Sequence, residues 1–378
     1  MSAPRLLLAR LVLFVAAISG AAAPSRAQEP IKIGAIEILS GPNAKYGVAI
    51  RQGFDLALEE VNKAGGAGGR PLELLYEDSA GSKEQAINAA RQLIGRAKVA
   101  LLLGPTLSTE MFAVGPIANQ RGVPIIGTST TAIGITDIGP FVFRTSLPES
   151  DVIPVTLRAA REKLGVKKVA VLYGRDDAFT KSAYDVMKAA LDKLGIEVVA
   201  TESFGAKDAD FSAQLTKIKS LSPDAVVVSA LADAGAGILL ARKALGFRED
   251  VRFIGGNGMN SPTVLAIAGS AADGLLVGSP WFVGKVDAQN RAFIKAYREK
   301  YGADPDQFAA QAYDTLKIVA AALSAAPDLS GESIRKALQN VKIEGVTGPF
   351  AFDAGRSPAI ASGVLVLEAR GGAFNIFK

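Results

Sequence analysis

The sequence predicts an α/β protein built on parallel sheets, and three observations carry that prediction. From Ile31 onward, short runs rich in Val, Ile and Leu alternate with amphipathic helical runs. Several of the apolar runs are continuous, as in strands buried on both faces of a parallel sheet. The strand candidates are also too many for one ordinary open sheet, so two sheets in two lobes are expected. Strand–helix alternation at this spacing implies right-handed βαβ units and doubly wound sheets.

Taken in order, the chain opens on a segment unlike the rest. Arg5 and Arg10 precede an unbroken apolar run, residues 11–18, and a stretch of small residues leads to Ala27. This is the order of a secretory signal, with Ser25 and Ala27 as the small residues before a cut at Gln28. The run is too short to span roughly 30 Å of hydrocarbon. Residues 1–27 are therefore read as a signal peptide cleaved after Ala27, delivering an exported protein. The chain has no Cys, which excludes lipid attachment at a cysteine and leaves stability to the core alone.

Strands are expected at residues 31–36, 72–76, 99–103, 124–126, 169–173, 197–201, 225–229, 252–254 and 275–278. Between them lie helices. In residues 46–64, Ile50, Phe54, Leu58 and Val61 form one stripe while Arg51, Asp55, Glu59 and Lys63 face away. Residues 178–194, 211–220 and 234–244 behave likewise. Residues 141–151 (FVFRTSLPESD) follow a complete set of units, are broken by Pro148 and end at a helix start, so they are read as the first crossing between lobes. The last third is helical at 289–301, 309–325 and 331–340, then returns to strands at 348–353 and 363–367.

Two zeros narrow the chemistry. With no Cys and no His, thiol nucleophiles, Cys/His zinc sites and imidazole relays are excluded, which points to binding rather than catalysis. No metal or other cofactor is expected. The formal charge of +5 invites a nucleic-acid reading. However, Arg5, Arg10 and Arg26 belong to the signal segment, which holds no acids; without them 39 basic residues face 37 acidic ones, a charge of +2. The single Trp, Trp281, gives no stacking platform, so no nucleic-acid partner is expected.

Ligands of open parallel sheets bind at the carboxyl ends of the strands. Two loops there are rich in polar groups. In residues 104–112 (GPTLSTEMF), Ser108 or Thr109 starts a helix whose free N–H groups suit an anion. In residues 127–136 (GTSTTAIGIT), Thr128, Ser129, Thr130, Thr131 and Thr136 crowd the end of a buried strand. Glycine motifs fail: residues 64–69 follow a helix, residues 255–262 (GGNGMNSP) lack dinucleotide spacing, and no P-loop occurs. Asp176 and Asp177 could pair as glycosidase carboxylates, but adjacent loop acids are usually solvated. Lys167 and Lys168 read as a solvated strand edge.

These motifs, in this order, resemble the type I periplasmic solute-binding proteins of bacterial ABC importers, specifically the leucine/isoleucine/valine-binding branch. The resemblance rests on residues 31–47 (IKIGAIEILSGPNAKYG), 76–94 (YEDSAGSKEQAINAARQLI), the loops at Gly104 and Gly127, FRTS at 143–146, and 346–358 (VTGPFAFDAGRSP). It implies two Rossmann-like lobes joined by three crossover strands, with residues 28–146 plus 282–358 as lobe I and 147–281 plus 359–378 as lobe II. It further implies hinge closure on a small ligand, recognition of the closed form by an inner-membrane ABC permease, and a monomer that is not an enzyme. By the same resemblance, Ser108 holds a carboxylate, and Thr130 and Thr131 supply a carbonyl and a hydroxyl. Tyr46 and Phe179 close over the ligand. Amino-acid binders of this branch carry a Glu in the GGNG loop for the ammonium; this chain has Asn257. That departure favours a keto, hydroxy or aromatic acid, or an amide, over a standard amino acid, unless Glu37 takes the missing role. A ligand sensor of the same fold, or an exported receptor subunit, is the alternative use of such a protein.

Overall fold

The computed structural model describes residues 28–359 and 363–378; the expected signal peptide lies outside them. The first half of the fold runs β1 (Ile31–Glu37), α1 (Ala44–Lys63), β2 (Leu72–Asp78), α2 (Lys83–Gln92), β3 (Leu101–Leu103), α3 (Ser108–Gln120), β4 (Ile125–Gly127) and β5 (Val142–Arg144). The second runs α4 (Glu149–Leu164), β6 (Lys168–Gly174), α5 (Ala178–Leu194), β7 (Glu197–Phe204), α6 (Ser212–Ser220), β8 (Ala225–Ser229), α7 (Ala232–Ala244), β9 (Arg252–Gly255), α8 (Pro262–Ala268) and β10 (Leu276–Ser279). The chain then returns through α9 (Ala288–Tyr301), α10 (Gln307–Ala325), α11 (Gly331–Asn340), β11 (Lys342–Gly345) and β12 (Gly348–Ala351), and ends in β13 (Leu365–Arg370) and β14 (Ala373–Ile376).

Two sheets result. The first has the order β2-β1-β3-β4-β5 and is parallel throughout. The second has the order β14-β13-β10-β9-β8-β6-β7; β6 to β10 are parallel, and the β13–β14 hairpin adds antiparallel to β10. Without that hairpin the two sheets share one topology. Strand order reverses beside β1 in the first and beside β6 in the second, the places where open sheets leave a crevice.

Each sheet is a buried middle layer. Along the strands of the first, Ile36, Leu102 and Ile125 face α2 and α3, while Ile33, Leu101, Leu103 and Phe143 join the core under α1 and α10. In the second, Val169, Val171 and Val227 face α4 and α5, and Leu172, Val226 and Phe253 face the opposite core. This two-sided burial is why the runs read as continuous rather than alternating.

Three strands differ from expectation. β5 lies inside the segment read only as a crossing; with three residues, all buried, it is too short to show a period. β11 pairs with β12 as a small hairpin. β14 is a mostly exposed edge strand reached by a tight turn through Gly371 and Gly372, at φ 60° and 78°, the positive-φ pair such hairpins require. Among the described residues no helix is long and apolar enough to cross a membrane.

Candidate functional site

The carboxyl ends of the two sheets face one another across a cleft, and hydrogen bonds cross it at several points. Tyr46 Oη donates to the Gly258 carbonyl at 2.5 Å and accepts from the Ala232 N–H at 2.7 Å. Thr109 Oγ1 donates to Asp177 Oδ2 at 2.6 Å and accepts from the Ala178 N–H at 2.8 Å. The Ile133 N–H donates to Ser182 Oγ, the Asn43 N–H to Asp233 Oδ2, and Gln307 Nε2 to the Asn260 carbonyl. The two halves are held in a closed arrangement.

Between them lies a small, partly open cavity lined by Tyr46, Thr106, Leu107, Ser108, Ser129, Phe179, Leu231, Asn257, Gly258 and Phe308. Four residues singled out from the sequence, Tyr46, Ser108, Phe179 and Asn257, are thus brought together from α1, α3, α5 and the loop after β9. None of the lining side chains is charged.

Each wall has a local cause. Ser108 is the first residue of α3, and its hydroxyl is not the helix cap. Ser108 Oγ accepts from the Ala132 N–H at 3.3 Å, and its own proton has no acceptor among the described residues. Of the backbone N–H groups there, Glu110 takes only that of Leu107, the residue before the helix, accepting it at 3.1 Å. Phe179 packs on Gly258, where a Cβ would meet the ring at 3.1 Å and the Ala230 carbonyl at 2.5 Å. Asn257 is positioned through its backbone: its N–H donates to buried Glu149 Oε1 at 2.8 Å. Burial pushes the carboxyls of Glu149 and Glu110 up to about 7, each partly opposed by these hydrogen bonds. Phe308 completes the apolar side, tilted against Tyr46 with ring centroids 4.8 Å apart.

Thr130 and Thr131 do not line the cavity. Their loop is clamped to the crossing segment, because the carbonyls of Thr130, Thr131 and Ala132 accept from Ser146 Oγ, the Glu149 N–H and Arg144 Nη1. The Thr130 hydroxyl folds back over Gly127, where a Cβ would lie 2.0 Å from it. Both side chains are buried, and neither hydroxyl has a partner among the described residues. The neighbouring Ser129 faces the cavity instead, with Thr106 from the preceding loop. Asp177 caps α5 through the Thr180 N–H, and Asp176 accepts from the Ala206 N–H. Both acids of the suggested glycosidase pair therefore have structural partners.

The description "Periplasmic binding protein" belongs to the family profile that matches residues 30–373, nearly the whole chain. The chain belongs to the periplasmic binding protein family. Among curated relatives, a leucine-, isoleucine-, valine-, threonine- and alanine-binding protein of Pseudomonas aeruginosa is 32% identical over 89% of this chain and 89% of its own. Among solved structures, a branched-chain amino acid transporter substrate-binding protein of Streptococcus pneumoniae in complex with isoleucine superposes with a TM-score of 0.85. That protein is 31% identical, over 91% of this chain and 97% of the other. A solute-binding protein of an ABC transporter from R. palustris in complex with benzoate gives a TM-score of 0.84 at 26% identity, over 92% and 95% of the two chains. This periplasmic binding protein thus falls in the branch of the branched-chain amino acid ABC substrate-binding proteins, a family of solute binders with parallel α/β sheets.

Proposed function

We propose that the chain is the exported substrate-binding subunit of an ABC importer. It would capture a small carboxylate-bearing solute between lobe I (residues 28–146 with 282–358) and lobe II (residues 147–281 with 359–378). Ser108 and the N-terminus of α3 anchor the carboxylate. Tyr46 and Phe179 cover the solute with Phe308, and Asn257 reads its other polar end. Thr130 and Thr131 back the hydroxyl wall that Thr106 and Ser129 present. The closed monomer is then the form offered to an inner-membrane permease, after removal of residues 1–27 in the periplasm.

The observation that carries this reading is the cavity itself, set at the paired carboxyl ends and walled by hydroxyls and aromatic rings without a charged side chain. An enclosed ammonium would lose its hydration there without a counter-charge. A carboxylate has the hydroxyls and the helix start. A keto, aromatic or branched aliphatic acid therefore fits better than an amino acid, in keeping with the benzoate seen in one structural relative.

Thermal-shift profiling against amino acids, keto acids, aliphatic acids and benzoates tests the reading. A solute at a hundred times its Kd stabilises the folded protein by about 2.7 kcal/mol, a clear rise in Tm. The expected hits are amine-free carboxylates; hits confined to sugars or polyamines would refute it.

A further inference from the structure

The carboxyl of Glu37 lies one hydrogen bond behind the cavity wall. It sits at the carboxyl end of β1 with no exposed surface. It occupies space left by Gly104, where a Cβ would come within 2.9 Å of Oε1. Its Oε2 is 2.5 Å from Thr106 Oγ1, and Thr106 lines the cavity. The Thr106 hydroxyl also accepts from the Ile38 N–H at 3.0 Å. Its single proton therefore has two places to go: back to Glu37 or forward into the cavity.

Two other lining hydroxyls sharpen that choice. Ser129 Oγ donates to the Thr106 carbonyl at 2.6 Å, and Tyr46 Oη donates to Gly258. Both can only accept from a solute. A carboxylate brings no proton, so Thr106 can hold one only if its own proton turns inward. The 2.5 Å contact with Glu37 must then be made by a proton on the carboxyl.

We propose that Glu37 is a specificity-determining residue of this site, acting through Thr106. As a carboxylic acid it donates to Thr106 Oγ1 and releases the hydroxyl proton to an anionic solute; as a carboxylate it retains that proton and leaves an acceptor suited to an amine or amide donor. The inference rests on the carboxylate reading above. The proton balance is simple: when Glu37 is ionised, binding a carboxylate takes one proton from the buffer onto Oε2, and the solute stays anionic.

Three titratable groups face Glu37, and Arg51 lies behind one of them, over the Tyr76 ring. Glu110 approaches from α3, Asp78 stands opposite it in the β1–β2 register, and Tyr76 lies on the same strand as Asp78. Burial, opposed by the Thr106 hydrogen bond and reinforced by Glu110, pushes the Glu37 carboxyl up to about 8. The donating form thus prevails at neutral pH.

The test is calorimetry with benzoate, 3-methylbutanoate and 4-methyl-2-oxopentanoate, three amine-free acids that stay ionised from about pH 6 to 10, and with leucine. With the tightest of the three acids, affinity should hold up to about pH 8 and fall about tenfold per unit above it. At about pH 9, buffers of different ionisation enthalpy should report uptake approaching one proton per solute. In Glu37→Gln, whose amide donates to Thr106 at every pH, affinity near pH 9.5 should equal that near pH 7. Thr106→Val, which removes the relay, should also abolish the pH dependence. Flat affinity and no proton uptake in the unsubstituted protein would overturn this inference and leave the carboxylate reading standing. No binding of any carboxylic acid would overturn both. Leucine binding without binding of the amine-free acids would overturn both the inference and the preference for amine-free acids, and leave standing only the capture of a carboxylate-bearing solute.

Discussion

Tyr46 does two things with one side chain: its ring walls the cavity, and its hydroxyl ties the Gly258 carbonyl and the Ala232 N–H across the cleft. Tyr46→Phe keeps the ring and leaves both backbone groups unpaired on closure, at about 1–3 kcal/mol for an unsatisfied buried group. Solute affinity should fall roughly tenfold to a hundredfold, mainly through faster dissociation. Stopped-flow displacement would measure it, and an unchanged off-rate would remove Tyr46 as a latch. At this scale the sequence was partly legible. Ser108 stands where the cavity is because the end of a buried strand and the start of a helix announce themselves in glycine and hydroxyl residues, whereas Tyr46, Phe179 and Asn257 were placed by the family resemblance. Which hydroxyl of the Gly127 loop faces inward could not be read, because the clamp from Arg144 and Ser146 that turns Thr130 away is a tertiary contact. Phe308 was missed because its role depends on α10 crossing α1.

That crossing is close because Gly53 lets it be. A Cβ at this position of α1 would sit 2.2 Å from the Ala309 carbonyl on α10, backbone against backbone. Gly53→Ala should destabilise the protein by about 3 kcal/mol, the upper range for overpacking a tight contact. Urea unfolding checks it; a loss near zero would mean the helices separate freely. The elements that could be read in advance are those with length and period, such as α1 and β6. β5 and β14 could not be: one is three buried residues, and the other is an exposed edge held by a glycine turn. Local pattern carries no information about which short segments find a neighbouring strand.

For the whole molecule, three buried glutamates set the direction of the pH response, with burial raising Asp306 and Asp314 in the same sense. Glu37 is pushed up to about 8, and Glu110 and Glu149 to about 7, above the unfolded value near 4.5. The folded chain therefore binds more protons than the unfolded one between these limits. The stability from these groups is full below about pH 4.5 and is lost as pH rises through 7 and 8. Tm should be higher near pH 5 than near pH 8.5; a Tm that rises over that interval would contradict the buried, protonated state of these groups. Closure is the other molecular property. With a solute present, small-angle scattering should report a smaller radius of gyration than in its absence, since the cross-cleft bonds of Tyr46, Thr109 and Gln307 draw the two sheets together only when the cleft is shut.

All of this depends on a carboxylate being held at the start of α3. The most direct measurement is a calorimetric titration of the protein and of Ser108→Ala with the amine-free acid that raises Tm most. Losing a hydrogen bond to a charged group should weaken binding roughly tenfold to a hundredfold with one site per chain. Equal affinity in the two proteins would place the carboxylate elsewhere and contradict the site described above.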